Sequence, residues 1–197
     1  MSVLHSRHSI VRGIHTRRRF LRRLKDDRSG ATAIEFAIVS APFLILMFAI
    51  IEISLVFFGT FTLENAVDQA SRMIRTGQAQ QQDFDKDRFR DQICANVSVL
   101  PDCKNGLKFD VRVVDNFGSA GSFDPPLTKE DTLDESGFDF NPGNGGDVVV
   151  VRVYYVWDLF AAIPHTIDGI KFGLSNIDGG GRLLVATAAF RNEPFDG

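Results

Sequence analysis

From Ala31 the chain runs ATAIEFAIVSAPFLILMFAIIEISLVFFGTF, and between Phe36 and Phe61 its only formal charge is Glu52. A helix rises ~1.5 Å per residue, so about 20 apolar residues cross a ~30 Å hydrocarbon layer. The run therefore predicts a transmembrane helix over 31–61. Its uninterrupted part ends at Ile51, which places Glu52 near an interface or against a partner. The competing reading is a buried helix of a soluble protein, but such helices are seldom apolar on every face. Pro42 removes one backbone hydrogen bond inside the span, with Ser40 a candidate to satisfy the freed carbonyl.

Beyond the span the pattern changes period. Leu63, Ala66, Val67, Ala70, Met73 and Ile74 recur on one helical face, while Glu64, Asp68 and Arg72 form an i, i+4 series on the other. The helix is expected to continue outward to about Arg75 and to end at Gly77. A second helix is expected from Asp85 to Val97, carrying Phe89, Ile93 and Val97 in register, capped by Asp83 or Asp85 and stopped by Pro101.

Strand patterns follow. Leu107, Phe109, Val111 and Val113 alternate with Lys108, Asp110 and Arg112. Val148 to Trp157 is almost wholly β-branched or aromatic, and Arg182 to Arg191 gives a third strand. The expected fold class is α+β: a long amino-terminal transmembrane helix entering an exported domain, a second helix, and a small antiparallel sheet of about three strands. The connection 116–146, rich in Gly, Pro and Asp, is expected to be a flexible solvated loop. Its carboxylates do not follow EF-hand spacing, which argues against calcium. The stretch Leu159 to Phe172 suits a short helix or an apolar loop, against either a membrane surface or a partner.

Charge sets the direction. Residues 1–28 hold nine Arg and Lys against Asp26 and Asp27, whereas the whole chain is −3. Basic residues beside a span stay on the cytoplasmic side. The expected order is a basic cytoplasmic leader over 1–30, a transmembrane helix over 31–61 and an exported periplasmic body over 62–197. An Arg-rich arm for nucleic acid is the alternative, but the adjacent span explains the charge without a nucleic-acid partner. The two cysteines, Cys94 and Cys103, lie on the exported side. In an oxidising compartment they are expected to form a disulfide around a small loop; two reduced thiols are the cytosolic alternative.

Glu35 and Glu52 are the two carboxylates of the apolar stretch, and no Lys or Arg lies between Arg28 and Arg72. An isolated carboxylate in hydrocarbon costs several kcal/mol, so each asks for protonation or for a partner from outside the segment. The run Ser29-Gly30-Ala31-Thr32-Ala33-Ile34-Glu35-Phe36, between a basic leader and an apolar helix, resembles the prepilin-peptidase site of type IV pilins and pseudopilins. The longer run from Arg18 to Gln78 is similar to the TadE-like family of tight-adherence (Flp) pilus proteins, as is the ending Arg191-Asn192-Glu193-Pro194-Phe195. The resemblance implies a pilin-like architecture and cleavage between Gly30 and Ala31. It makes Glu35 the fifth mature residue, placed to neutralise the new α-amine of a neighbouring subunit. Its implied partners are prepilin peptidase, other pilins and pseudopilins, an inner-membrane assembly platform and membrane lipid.

Nothing in the pattern suggests catalysis, a metal or a cofactor. Three of the four histidines, His5, His8 and His15, precede Gly30, leaving His165 alone. Gly179-Gly180-Gly181 lacks the Lys-Ser/Thr of a phosphate loop. The expected function is that of a minor pseudopilin in the assembly of an adhesive pilus. An uncleaved single-pass binding protein of the cell envelope is the alternative.

Overall fold

The computed structural model of the chain describes residues 29–121, 126–128, 132–159, 166–167, 170–171, 175–177 and 180–195. The basic leader and most of the 159–172 stretch lie outside these. By contacts the chain divides into two compact units, Met1–Met47 and Phe48–Gly197.

Helix α1 spans Ser29–Arg75 and contains Pro42. In the first unit its described side chains are exposed almost throughout, among them Phe36, Val39, Phe43 and Leu46. Ser40 Oγ donates to the Ala37 carbonyl at 3.4 Å, not to Ile38, whose carbonyl Pro42 leaves unpaired. Ser40 therefore does not play the part the sequence suggests for it.

In the second unit the helix acquires a buried stripe: Glu52, Val56, Gly59, Leu63, Ala66, Val67, Ala70 and Ile74. The spacing of three and four keeps these residues on one face. Cover thus begins within the apolar run, ahead of residue 62. Gly77, at φ 76°, turns the chain out of the helix. Two short elements follow that the hydrophobic pattern does not announce: α2 (Gln78–Gln81) and, later, α4 (Cys103–Gly106).

Helix α3 runs Lys86–Ala95, with the Asp85 carboxylate accepting from the Arg88 N–H at 2.8 Å as its amino-terminal cap. Asp83, the other candidate cap, sits at φ 49° in the preceding turn. Phe89 and Ile93 are fully buried on the inner face of α3. Cys94 and Cys103 are joined as a disulfide, with Cα atoms 5.7 Å apart, pinning the end of α3 to α4.

Strands β1 (Leu107–Val114), β2 (Val148–Asp158) and β5 (Gly181–Arg191) form an antiparallel sheet in the order β1-β2-β5. Val151 stands opposite Val111 on one side and Ala188 on the other. Val149, Val151, Val153, Tyr155 and Trp157 line one face of β2 and join the core built by α1 and α3. Val148 and Val150 pack with Val114 and Ala120 on the opposite face. Cover on both faces explains why β2 is nearly continuous in apolar residues while β1 alternates. Burial raises the hydroxyl pKa of both Tyr154 and Tyr155 above the ordinary phenol value. The Tyr155 hydroxyl donates to the Pro101 carbonyl. A second, two-stranded ladder pairs β3 (Thr166–Ile167) with β4 (Ile170–Lys171), inside the stretch expected to be a short helix or loop.

The connection 116–146 is not simply solvated. It opens with a 3-10 turn, Phe117–Gly121, and its later part returns to the sheet. The Val111 N–H donates to the Asp139 carbonyl at 2.9 Å and the Asn141 N–H donates to the Val111 carbonyl at 2.8 Å. Phe140 then packs on Phe89 and Phe109, and Phe138 stacks on Tyr154 at 5.3 Å. Two aromatic residues flanking Asp139 give this segment a strand-like alternation that its Gly- and Asp-rich surroundings obscure.

Closing a loop of this size restricts the unfolded chain by about 2.5 kcal/mol. Replacing both Cys94 and Cys103 with Ser is expected to lower unfolding stability by about 2–3 kcal/mol. Urea denaturation of the full chain in detergent, followed by the fluorescence of Trp157, checks this.

Candidate functional site

The candidate processing site lies on the first turn of α1. Gly30 is exposed, and a Cβ placed on it would meet nothing within 4 Å. Ala31 is exposed as well. A peptidase therefore meets two small residues with no side chain in its way. Cutting after Gly30 requires the first turn to open, and a terminal helical turn holds few backbone bonds to lose.

Glu35 is exposed one turn further on, flanked by Ile34, Phe36 and Ile38 at 63%, 74% and 68% exposure. It makes no hydrogen bond or ion pair with a described residue. Glu52 differs. It is 5% exposed, lies on the stripe that carries Val56 and Leu63, and has a polar or charged interaction within the chain. The two carboxylates of the apolar stretch thus have separate environments, and the structure does not bring them together. The disulfide lies at the far end of α3, away from both in sequence.

Three hydroxyls between Ser54 and Thr62 on the same helix are satisfied locally. Ser54 Oγ donates to the Ile50 carbonyl at 2.8 Å, Thr60 Oγ1 to Val56 at 2.9 Å and Thr62 Oγ1 to Phe58 at 3.0 Å. Returning each hydroxyl proton to a carbonyl one turn back removes the cost of an unpaired donor in an apolar surrounding.

Residues 30–72 match the family model described as TadE-like protein. This stretch of the chain is TadE-like. The matched TadE-like segment begins at Gly30 and takes in Glu35, Glu52 and most of the buried stripe. It associates the chain with the Tad pilus and with a membrane anchor. No curated protein and no solved structure matches the chain.

Two features of the body surround the TadE-like helix. The first is the contact at Gly59: a Cβ there would stand 3.2 Å from the Trp157 ring and 3.4 Å from Leu184. The missing side chain is what lets Trp157 lie against the helix. The second is the edge of β5. Asn176 closes its first positions, with its N–H on the Gly181 carbonyl at 3.2 Å and its Oδ1 on the Leu183 N–H at 2.7 Å. By alternation, the N–H and C=O groups of Val185, Thr187 and Ala189 also face away from β2, and no described residue pairs with them. A groove runs beside this edge, lined by Asp68, Ser71, Arg72 and Arg75 of α1 and residues 187–190 of β5. Ser71 Oγ is buried there without a hydrogen-bond partner.

The sequence missed the role of the ending Arg191–Phe195. The Glu193 N–H donates to the Arg75 carbonyl at 2.8 Å, and Asn192 Nδ2 donates to the Pro142 and Asn144 carbonyls at 2.9 Å each. Phe195 lies against Gly77, where a Cβ would come within 2.5 Å of its ring. The signal was the lone Asn after an apolar strand: a buried amide at a strand end commonly serves backbone groups.

Among the described residues no group of His, Cys, Asp or Glu is arranged to hold a metal ion. The Asp134 carboxylate, held below the ordinary Asp value by hydrogen bonds from Ser136, lines a polar groove with Asp110, Arg112, Arg152 and Tyr154.

Substituting Gly59 with Val forces a branched side chain into the Trp157 ring, an overpacking that costs about 1–3 kcal/mol. Gly59→Val is expected to lower the denaturation midpoint and shift the Trp157 emission to the red, whereas Phe58→Val on the exposed face should do neither.

Proposed function

We propose that this chain is a minor pseudopilin of a Tad-type pilus, cut by prepilin peptidase between Gly30 and Ala31 and acting in pilus assembly. The observation that carries the reading is the contrast between Glu35 and Glu52 within a TadE-like segment. Glu52 is covered by the chain's own body, so it needs nothing further. Glu35 has no such cover, and a carboxylate facing hydrocarbon must find a counter-charge or bind a proton.

Processing after Gly30 supplies the counter-charge. The new α-ammonium group of Ala31 stands at the start of an apolar helix, as poorly solvated as Glu35 itself. When two such helices pack side by side, the amine of one neutralises the carboxylate of the other. Both desolvation penalties are offset in one contact, and the pairing fixes the stagger between the helices. The chain's role is then structural rather than catalytic. Its leader lies in the cytoplasm, α1 crosses the inner membrane once, and the body with its disulfide lies in the periplasm, among other pilins and pseudopilins and the inner-membrane assembly platform.

Mass spectrometry of membranes from cells with and without prepilin peptidase tests the cut. The expected product begins at Ala31 only when the peptidase is present; a chain that keeps residues 1–30 in both strains removes the assignment and leaves an uncleaved envelope anchor. A second experiment addresses pairing. Glu35→Ala is expected to leave cleavage largely intact while pilus assembly falls by roughly tenfold or more, since each tenfold corresponds to about 1.4 kcal/mol. Normal piliation in that variant would refute the charge-pairing mechanism.

A further inference from the structure

The apolar stretch of α1 is longer than a bilayer's hydrocarbon layer requires. Phe36 to Phe61 is 26 residues, about 39 Å of helix against a ~30 Å hydrocarbon layer and ~40–45 Å including the headgroups. The first exposed charge beyond it is Glu64, because Glu52 is buried. Over the last turns of the stretch the helix has two unlike faces. Glu52, Val56 and Gly59 are covered by the body, whereas Phe57, Phe58 and Phe61 stand 71%, 54% and 64% exposed. Beside them lies the start of β5. Arg182, Leu183, Leu184 and Val185 line a groove with Ile53, Val56, Phe57 and Thr60, and Val185 is itself 42% exposed.

We infer that this lower rim of the body, and not the helix alone, is a lipid-binding surface seated in the interfacial layer of the membrane. The occupant is the boundary between acyl chains and headgroups. Phe57, Phe58, Phe61 and Val185 present the apolar side of that boundary. Among the described residues of α1 from Phe48 to Phe61 the one exposed polar side chain is Ser54, whose hydroxyl proton is returned to the Ile50 carbonyl, so lipid that covers this stretch continues onto the rim. A partner protein covering only the rim would have to displace that lipid. The inference rests on the membrane-anchor reading of α1.

Trp157 is the only tryptophan in the chain and packs on Gly59 behind this rim, which makes it a native depth probe. The full processed chain is reconstituted into vesicles whose lipids are brominated either near the glycerol end or near the methyl end of the acyl chain. Bromine near the glycerol end is expected to quench Trp157 clearly more than bromine near the methyl end. A chain that floats with the vesicles and resists alkaline extraction, yet shows no lipid quenching, overturns the seated rim and leaves the anchor standing. A chain removed by alkaline extraction overturns both. A second comparison assigns the surface. Phe57→Asp with Phe61→Asp lies on the exposed side, so the body should keep its denaturation midpoint while quenching by the shallow bromines falls by half or more. Unchanged quenching in that variant would show that the helix alone sets the depth and would overturn the role of the rim.

Discussion

A helix that meets hydrocarbon along one stretch and its own protein body along the next must change its side-chain pattern without losing its backbone hydrogen bonds. Helix α1 makes that change between Glu52 and Leu63. From Phe36 to Ile51 the exposed side chains are apolar on all sides. After Leu63 the buried positions carry Val67 and Ile74 but also the small Ala66 and Ala70, so the sheet can approach closely. Gly59 is the extreme case, since the indole of Trp157 occupies the space where its side chain would be. Burying Leu63, Val67 and Ile74 contributes about 1.5–3 kcal/mol each, which only a closely fitted sheet face can supply.

The sheet follows from that contact. With α1 and α3 on one face, β2 must be apolar on that side, and the returning connection covers its other side through Ala120 and Phe138. Both long edges then have to be managed. Residues 139–141 close the β1 edge through the two backbone bonds to Val111. Among the described residues the β5 edge is closed by Asn176 at its start, and none pairs with the outward groups of Val185, Thr187 and Ala189. A protein avoiding edge pairing would be expected to place charge or proline there; this edge instead carries valine, threonine and alanine.

Much of this was legible in the sequence because it depends on periodicity. The span, the 3/4-spaced stripe from Leu63 to Ile74, helix α3 and all three long strands follow from apolar spacing, with boundaries shifted by a residue or two. What escaped were features set by single contacts between distant segments. Phe138 and Phe140 sit in a stretch whose Gly, Pro and Asp content suggested only solvent, yet two aromatic side chains outweigh that composition once β1 and β2 offer a surface. The ending after Arg191 gives no periodic signal, because Asn192, Glu193 and Phe195 each serve a different part of the body. For the candidate site, the sequence marked Gly30, Ala31, Glu35 and Glu52 by residue type and position. It did not separate the two carboxylates, since the burial of Glu52 follows from the folded chain and not from its place in the apolar run.

That separation bears directly on how the anchor works. Two identical side chains on one apolar helix would ordinarily raise the same difficulty, the cost of placing a carboxylate in hydrocarbon. Folding answers it for Glu52 within the chain. It does not do so for Glu35, which is exposed and pairs with no described residue. A carboxylate kept in that position is therefore a cost in the isolated subunit and a gain only beside another helix carrying a positive charge at matching depth. The α-amine that the proposed cut creates at Ala31 is fixed to the backbone and meets such a carboxylate only through a neighbouring helix. On the proposed reading, a cut after Gly30 turns a cost that each subunit bears alone into a pairing that two subunits share.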